Sequence, residues 1–250
     1  MSKTSDDGVF IIFGATGGIG SALASLLRSQ GREVVVAGRD GDRLDELAAA
    51  SGAHPHRMGD QIAPSIQACI DAAMENHGKV SGVANCIGSL LLKPAHLTTD
   101  ADWESVIDTN LGSAFATVRA CGKAMTKTGG SVVLVSSAAA EVGMASHEGI
   151  AAAKAGIVGL MRAAAATYAG RGIRFNAVSP GLVETPLTSR LTSNEQMKNG
   201  SIAMHALGRL GHPDDIARAI AWLLDPANDW VTGQVLGIDG GLGSVRSKRA

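Results

Sequence analysis

Val9-Phe10-Ile11-Ile12-Phe13-Gly14-Ala15-Thr16-Gly17-Gly18-Ile19-Gly20 is the stretch whose reading decides the fold. Five consecutive apolar residues read as a buried strand that stops at a glycine. Ser21 to Arg28 then carries Ala22, Leu23, Leu26 and Leu27 at helical spacing, and Gly31 closes the helix. The first glycine permits a tight turn. Later ones let backbone approach a phosphate and let the helix pack on the strand. The helix N-terminus offers free N–H groups to an anion. A glycine cluster alone also fits a plain turn; the strand before it and the helix after it favour a pyrophosphate cradle for a dinucleotide.

The same alternation continues outward. Glu33–Ala37, Val80–Asn85, Ser131–Ser136, Ile173–Val178 and Gln234–Ile238 read as strands. Arg43–Ala50, Ala63–Asn76, Asp100–Met125, Gly149–Tyr168 and Pro213–Leu224 read as helices. His54 and His56 flank a proline in a loop. The pattern predicts a doubly wound, mostly parallel sheet with helices on both faces, a Rossmann fold. One domain spans 1–250, with a polar tail at 1–8 and irregular stretches at 61–63 and 186–207.

Hydrophobic residues make up 45% and aromatics 3%, with 32 glycines, so the core rests on aliphatic side chains and close backbone packing. A net charge of −1 without a basic stripe argues against nucleic acid. The tail Arg246, Lys248, Arg249 reads as a solvated end. Cys69, Cys86 and Cys121 are widely spaced, and the histidines show no ligand spacing, so neither disulfides nor a metal are expected. No signal region or membrane span is read, and the expected location is the cytoplasm.

Gly14, Gly18 and Gly20 resemble the Gly-x-x-x-Gly-x-Gly motif of the short-chain dehydrogenase/reductase family. Asp60 resembles the family's adenine-contacting acid, with Gln61 beside it. Asn85-Cys86-Ile87-Gly88 resembles a weakened Asn-Asn-Ala-Gly segment. Asn110 resembles the asparagine that anchors a water in the proton relay. Ser136-Ser137 stands where the active-site serine ends the fifth strand. Ser179-Pro180-Gly181, with Val183 and Thr185, resembles the loop that holds the nicotinamide carboxamide. Gly208-Arg209-Leu210-Gly211, Pro213-Asp214-Asp215 and Asp239-Gly240-Gly241 match the C-terminal pattern. The resemblance implies cofactor contacts from Gly14, Thr16, Gly17, Gly18, Ile19, Gly20, Arg39, Asp60, Gln61, Asn85, Gly88, Lys154, Pro180, Gly181, Val183 and Thr185. It also implies a small-molecule substrate covered by 186–207, whose Leu187, Leu191, Met197, Ile202 and Met204 suggest an apolar wall or simply a packed lid.

In this family an acid directly after the second strand binds the ribose hydroxyls of NAD. Here that place is Gly38, and Arg39 follows, a fork suited to a 2′-phosphate. Asp40 and the absence of a basic residue at Gly17 point the other way. NADP is the expected cofactor, with NAD as the alternative.

The family's chemistry uses a serine, a tyrosine and a lysine. Lys154 matches the lysine and Ser137 the serine, yet Ile150 stands four residues before Lys154, where the tyrosine belongs. Tyr168, the one tyrosine, lies about 21 Å along a helix from Lys154 and cannot substitute. His147, behind a Ser146 cap, shares a helical stripe with Ile150 and Lys154. The replacement donors considered are His147, Ser137 itself, or a water held by Lys154 and Asn110. Glu148 reads as stabilising the first helical turn.

Three functions follow as expectations. The first is an NADP-dependent oxidoreductase of a carbonyl or alcohol with an altered proton donor. The second is a catalytically silent cofactor-binding subunit, regulatory or paired with an active relative in a mixed oligomer. The third is a non-redox enzyme on the same fold. The helix 150–168, almost all Ala, Gly and aliphatic, reads as the interface of a dimer or tetramer, against a central helix of the monomer.

Overall fold

Every strand expected from an apolar run forms, and one more joins them. In the computed structural model, which describes residues 8–246, the strands are β1 (Val9–Phe13), β2 (Glu33–Gly38), β3 (His54–Arg57), β4 (Val80–Asn85), β5 (Gly130–Val135), β6 (Ile173–Pro180) and β7 (Val235–Ile238). They form one sheet in the order β3-β2-β1-β4-β5-β6-β7, and every pairing is parallel. The inner strands are buried on both faces, which is why they read as unbroken apolar runs rather than alternation. The order reverses between β1 and β4. A crevice opens there at the carboxyl ends, where Phe13 lies level with Ala37 and Asn85.

The helices are α1 (Gly18–Ser29), α2 (Gly41–Ser51), α3 (Ile62–His77), α4 (Asp100–Ile107), α5 (Ser113–Ala124), α6 (Glu148–Tyr168), α7 (Ser189–Thr192), α8 (Glu195–Met204) and α9 (Pro213–Leu224). Successive residues of β1 serve opposite faces. Phe10 and Ile12 join Leu23, Leu27, Leu44 and Ile220 of α1, α2 and α9. Ile11 and Phe13 join Ile66, Cys121, Ile157 and Met161 of α3, α5 and α6.

Several local expectations are corrected. His54 and His56 lie on β3, not in a loop. Pro55 lacks an N–H and the strand is largely exposed, both tolerable at a sheet edge. The helix expected over 100–125 is interrupted by a π turn, Asp108–Gly112. The stretch 186–207 is largely helical, because the Asn194 side chain caps α8 by accepting from the Met197 N–H at 3.0 Å. Residues 61–63 are the start of α3. Ser146 is not the cap of α6: it adopts φ +62°, and His147 is the residue before the helix. The N-terminal tail up to Asp7, and Lys248 and Arg249, lie outside the described residues.

Glu148–Arg171 is long and apolar enough to cross a membrane by length and composition. In this fold α6 lies on β6. It buries Ile150, Ala153, Lys154, Ile157, Met161, Ala164 and Ala165. It is therefore a central helix of the monomer, while Ala152, Ala155, Gly159, Ala163 and Ala166 remain exposed on its outer face. A Cβ at Gly156 would come within 2.8 Å of Leu111, so this glycine admits a side chain of the π turn. Tyr168 packs on Phe175, with ring centroids 5.6 Å apart.

Candidate active site

The turn between β1 and α1 is closed to side chains. Gly14 has φ +70°, and a Cβ there would lie 2.8 Å from backbone atoms of Cys86 and Ile87. A Cβ at Gly20 would lie 2.5 Å from the Gly14 carbonyl oxygen, and one at Gly18 2.8 Å from Thr185. α1 begins without a side-chain cap and without an acidic residue in its first turn. Its first N–H groups therefore have no side-chain cap to compete with an anion, and Gly18, Ile19 and Gly20 line the cleft.

A cavity of 330 Å³ lies over this turn. Of the residues expected to touch a cofactor, Gly14, Thr16, Gly17, Gly18, Ile19, Gly20, Arg39, Gly88 and Thr185 line it. Asp60 and Gln61 are exposed at the start of α3, outside the lining. Pro180, Gly181 and Val183 lie at the end of β6 and just after it, also outside the lining. Asn85 is buried behind the cavity. Its Nδ2 donates to Ser113 Oγ and Thr117 Oγ1, and its Oδ1 accepts from the Ile87 N–H at 2.9 Å. Its part is to fix the Cys86–Gly88 turn. Sequence reasoning missed Arg43, Met58 and Ile62 as lining residues. Arg43 carried a signal, since a cation in the first turn of a helix opposes the helix dipole.

A larger hollow of 670 Å³ lies at the opposite ends of the strands, beside Lys79, Arg174 and Trp230. There the Arg174 guanidinium is committed to the carbonyls of Leu223, Val231 and Asp225.

Past Gly88 the cleft becomes polar. A Cβ at Gly88 would lie 3.2 Å from Asn110 Oδ1 and 3.6 Å from Lys154 Nζ, so these two side chains converge on one point. Asn110 sits in the π turn, a local distortion that recurs at functional positions. Its Nδ2 donates to Ser89 Oγ and to the Val106 carbonyl, and its Oδ1 accepts from the Ser89 N–H. Ser89 was not anticipated. Lys154 is 7% exposed, and its Nζ donates to the Val135 carbonyl at 2.9 Å. Ser136 Oγ donates to the Lys154 carbonyl at 2.9 Å and ties α6 to the end of β5.

Among the described residues Lys154 has no ion-pair partner. Burial lowers it from 10.5 to about 8. Burial pushes the neighbouring Cys86 thiol up to about 12, so this thiol is neutral at physiological pH and supplies no negative charge. Ser137 is extended, with its Oγ accepting from the Ala139 N–H at 3.2 Å. Ile150 is 3% exposed, one turn before Lys154. His147 Nδ1 donates to the Ala145 carbonyl at 2.8 Å, which leaves Nε2 as the free nitrogen.

A family model described as enoyl-(acyl carrier protein) reductase matches residues 14–243. The chain is 33% identical to the 3-oxoacyl-(acyl-carrier-protein) reductase of Thermotoga maritima, over 94% of this chain and 97% of that one. The chain belongs to the short-chain dehydrogenase/reductase family. Within it, the chain is 36% identical to a cis-4-hydroxycyclohexanecarboxylate dehydrogenase of Sinomonas cyclohexanicum, over 98% of this dehydrogenase/reductase and 100% of that enzyme. A single-substitution variant of the actinorhodin polyketide ketoreductase, solved with NADPH, superposes with a TM-score of 0.88 at 30% identity, covering 97% of this chain and 99% of that one. Membership makes this short-chain dehydrogenase/reductase an NAD(P)-dependent oxidoreductase of carbonyl or alcohol substrates.

Proposed function

We propose that this enzyme binds NADP(H) and transfers hydride between it and a small, largely apolar carbonyl or alcohol compound, with a proton donor other than tyrosine. The carrying observation is the wall of the cavity after β2. Gly38 stands where an acid of the NAD-binding kind would be, and a Cβ there would lie 3.2 Å from Thr16 Cγ2, a tight fit that an acid could take only if Thr16 shifted by a few tenths of an ångström. Asp40, the alternative ribose-binding acid, has one carboxylate oxygen committed to capping α2, where it accepts from the Arg43 N–H at 3.2 Å. Arg39 is exposed and, among the described residues, engaged in no hydrogen bond or ion pair. A guanidinium without a partner beside an anion cradle suits a 2′-phosphate.

The bound cofactor supplies the hydride. The chain's own residues then bind, orient and handle the proton. The glycine turn and the N-terminus of α1 hold the pyrophosphate, and Arg39 the 2′-phosphate. Lys154 and Asn110 converge beside Gly88 and would hold ribose hydroxyls and a water. Ser137 orients the reacting oxygen. Ile150 can neither give nor take a proton. That task falls to a water held by Lys154 and Asn110, to Ser137, or to His147 through Nε2. Leu187, Met197 and Met204 stay exposed on the segment 186–207 and offer an apolar cover for the substrate. The whole described chain acts as one dinucleotide-binding domain. The small exposed residues on the outer face of α6 form the contact of a dimer or tetramer.

Ile150 itself favours a second reading, a subunit that binds cofactor without turnover, alone or beside an active relative. One experiment separates the two. Fluorescence titration is expected to show tighter binding of NADPH than of NADH. With a panel of carbonyl compounds, Ile150→Tyr is expected to raise turnover by about 10²–10⁴-fold, the usual contribution of a positioned acid. Slow turnover by the wild type supports the first reading. None in the wild type, with gain in the variant, supports the second. Failure of both cofactors to bind overturns both.

A further inference from the structure

We infer that Arg43 is a specificity-determining residue for the cofactor, forming with Arg39 a two-guanidinium site for an adenosine 2′-phosphate. The inference rests on the NADP(H) reading above and names a residue that this reading does not need.

The glycine turn lacks a basic side chain, since Gly17 is exposed where one would face the phosphate. Arg43 reaches the turn from the start of α2. It lies in the first turn of α2, twenty-seven residues along the chain from Thr16, and its Nη2 donates to the Thr16 carbonyl at 2.8 Å. The hook fixes a guanidinium on the turn beside Gly17, and Arg43 and Arg39 line one cavity. One donor is engaged at Thr16, and the guanidinium has four more N–H groups to offer an anion.

The surroundings favour this assignment. A cation at the start of α2 works against the helix dipole, so its place is not explained by helix stability. Two of the acids nearby are otherwise occupied. Asp40 lines the same cavity, but its Oδ1 accepts from the Arg43 N–H. Asp45 pairs with Arg57 at 2.6 Å, which also removes Arg57 as a free cation. Arg43 makes no ion pair among the described residues. A 2′-phosphate carries close to two negative charges, and two guanidinium forks lining one cavity, one of them anchored on the glycine turn, match it.

The test is equilibrium binding of NADPH and NADH to the wild type, Arg43→Gln and Arg43→Lys, followed by fluorescence at two salt concentrations. Loss of a fork to a charged group is expected to weaken NADPH about 10- to 100-fold in Arg43→Gln and to leave NADH within about twofold. Arg43→Lys keeps the charge but loses the hook, and is expected to fall between. The salt dependence of NADPH binding is expected to weaken in Arg43→Gln. Equal weakening of both cofactors would make Arg43 a brace of the turn and overturn the inference. An unchanged preference in Arg43→Gln, with the wild type still favouring NADPH, overturns the inference and leaves the NADP(H) reading intact. A wild type that prefers NADH removes both. Should Arg43→Gln unfold, Arg43→Lys carries the same comparison.

Discussion

Replacing Lys154 with methionine is expected to make the cofactor-free protein more stable at neutral pH. Burial holds this lysine at about 8, against 10.5 in the open. At 1.36 kcal/mol for each tenfold change, keeping it charged disfavours the folded state by about 3 kcal/mol. The Val135 hydrogen bond returns about 1 kcal/mol, which methionine forfeits. The net expectation is about 2 kcal/mol in favour of Lys154→Met at pH 7. The sign with pH follows from proton counting. The folded lysine loses its proton near 8, the unfolded one near 10.5, so between those values the unfolded state binds more protons and stability rises with pH. From pH 7 to pH 9 the wild type recovers about 1.3 kcal/mol that the methionine variant does not. The buried thiols act in the opposite sense above pH 9, since Cys69 and Cys86 are raised to about 12 in the fold. A difference between two proteins below that pH largely cancels them. The assay is urea unfolding of both proteins at pH 7 and 9, followed by tryptophan fluorescence. A stability gap that does not narrow with pH, or a variant less stable at pH 7, would refute the reasoning.

Gly20→Ala places a Cβ 2.5 Å from the Gly14 carbonyl oxygen and 2.7 Å from Ala15 Cα. Both are backbone, so the turn must shift. The expectation is a loss of about 1–3 kcal/mol in urea unfolding and failure of NADPH titration. If a proton passes through the water held by Lys154 and Asn110, carbonyl reduction falls as pH rises through about 8, because the acid must be protonated. A reduction rate level from about pH 6 to about pH 9.5 rules out that route.

The parallel sheet was legible because burial on both faces leaves unbroken apolar runs, as in Val9–Phe13 and Val34–Val36. The glycine turn was legible because its glycines answer to sterics that act within a few residues. What stayed hidden depends on distant partners. β3 has no apolar signal, since His54-Pro55-His56-Arg57 is held by pairing with β2 and by the Arg57 ion pair to Asp45 of α2. The π turn at Asp108–Gly112 lies inside a sequence that reads as helix throughout. Its asparagine was legible by resemblance, but its partner Ser89, twenty-one residues away, was not. Asp40 read as a possible ribose acid until the start of α2 gave its carboxylate a nearer use. Arg43 read only as the start of a helix, and its contact with the Thr16 carbonyl, twenty-seven residues away, had no local signal.

Ile150 and Lys154 stand one turn apart on the same buried face, and the fold asks opposite things of them. An isoleucine at 3% exposure is a favourable core residue. A lysine at 7% exposure with one carbonyl acceptor is not. An ammonium has three N–H donors, and two of Lys154's have no partner among the described residues. Such a group is stabilised by acceptors that the chain does not itself provide, and sugar hydroxyls and water are acceptors of the right kind. The buried lysine therefore supports a ligand in the cleft under both readings of function. The isoleucine bears only on whether a proton moves once that ligand is there. This is why binding of NADPH and gain of turnover by Ile150→Tyr have to be measured separately: the first tests what Lys154 and the glycine turn share, and the second tests the position that neither can supply.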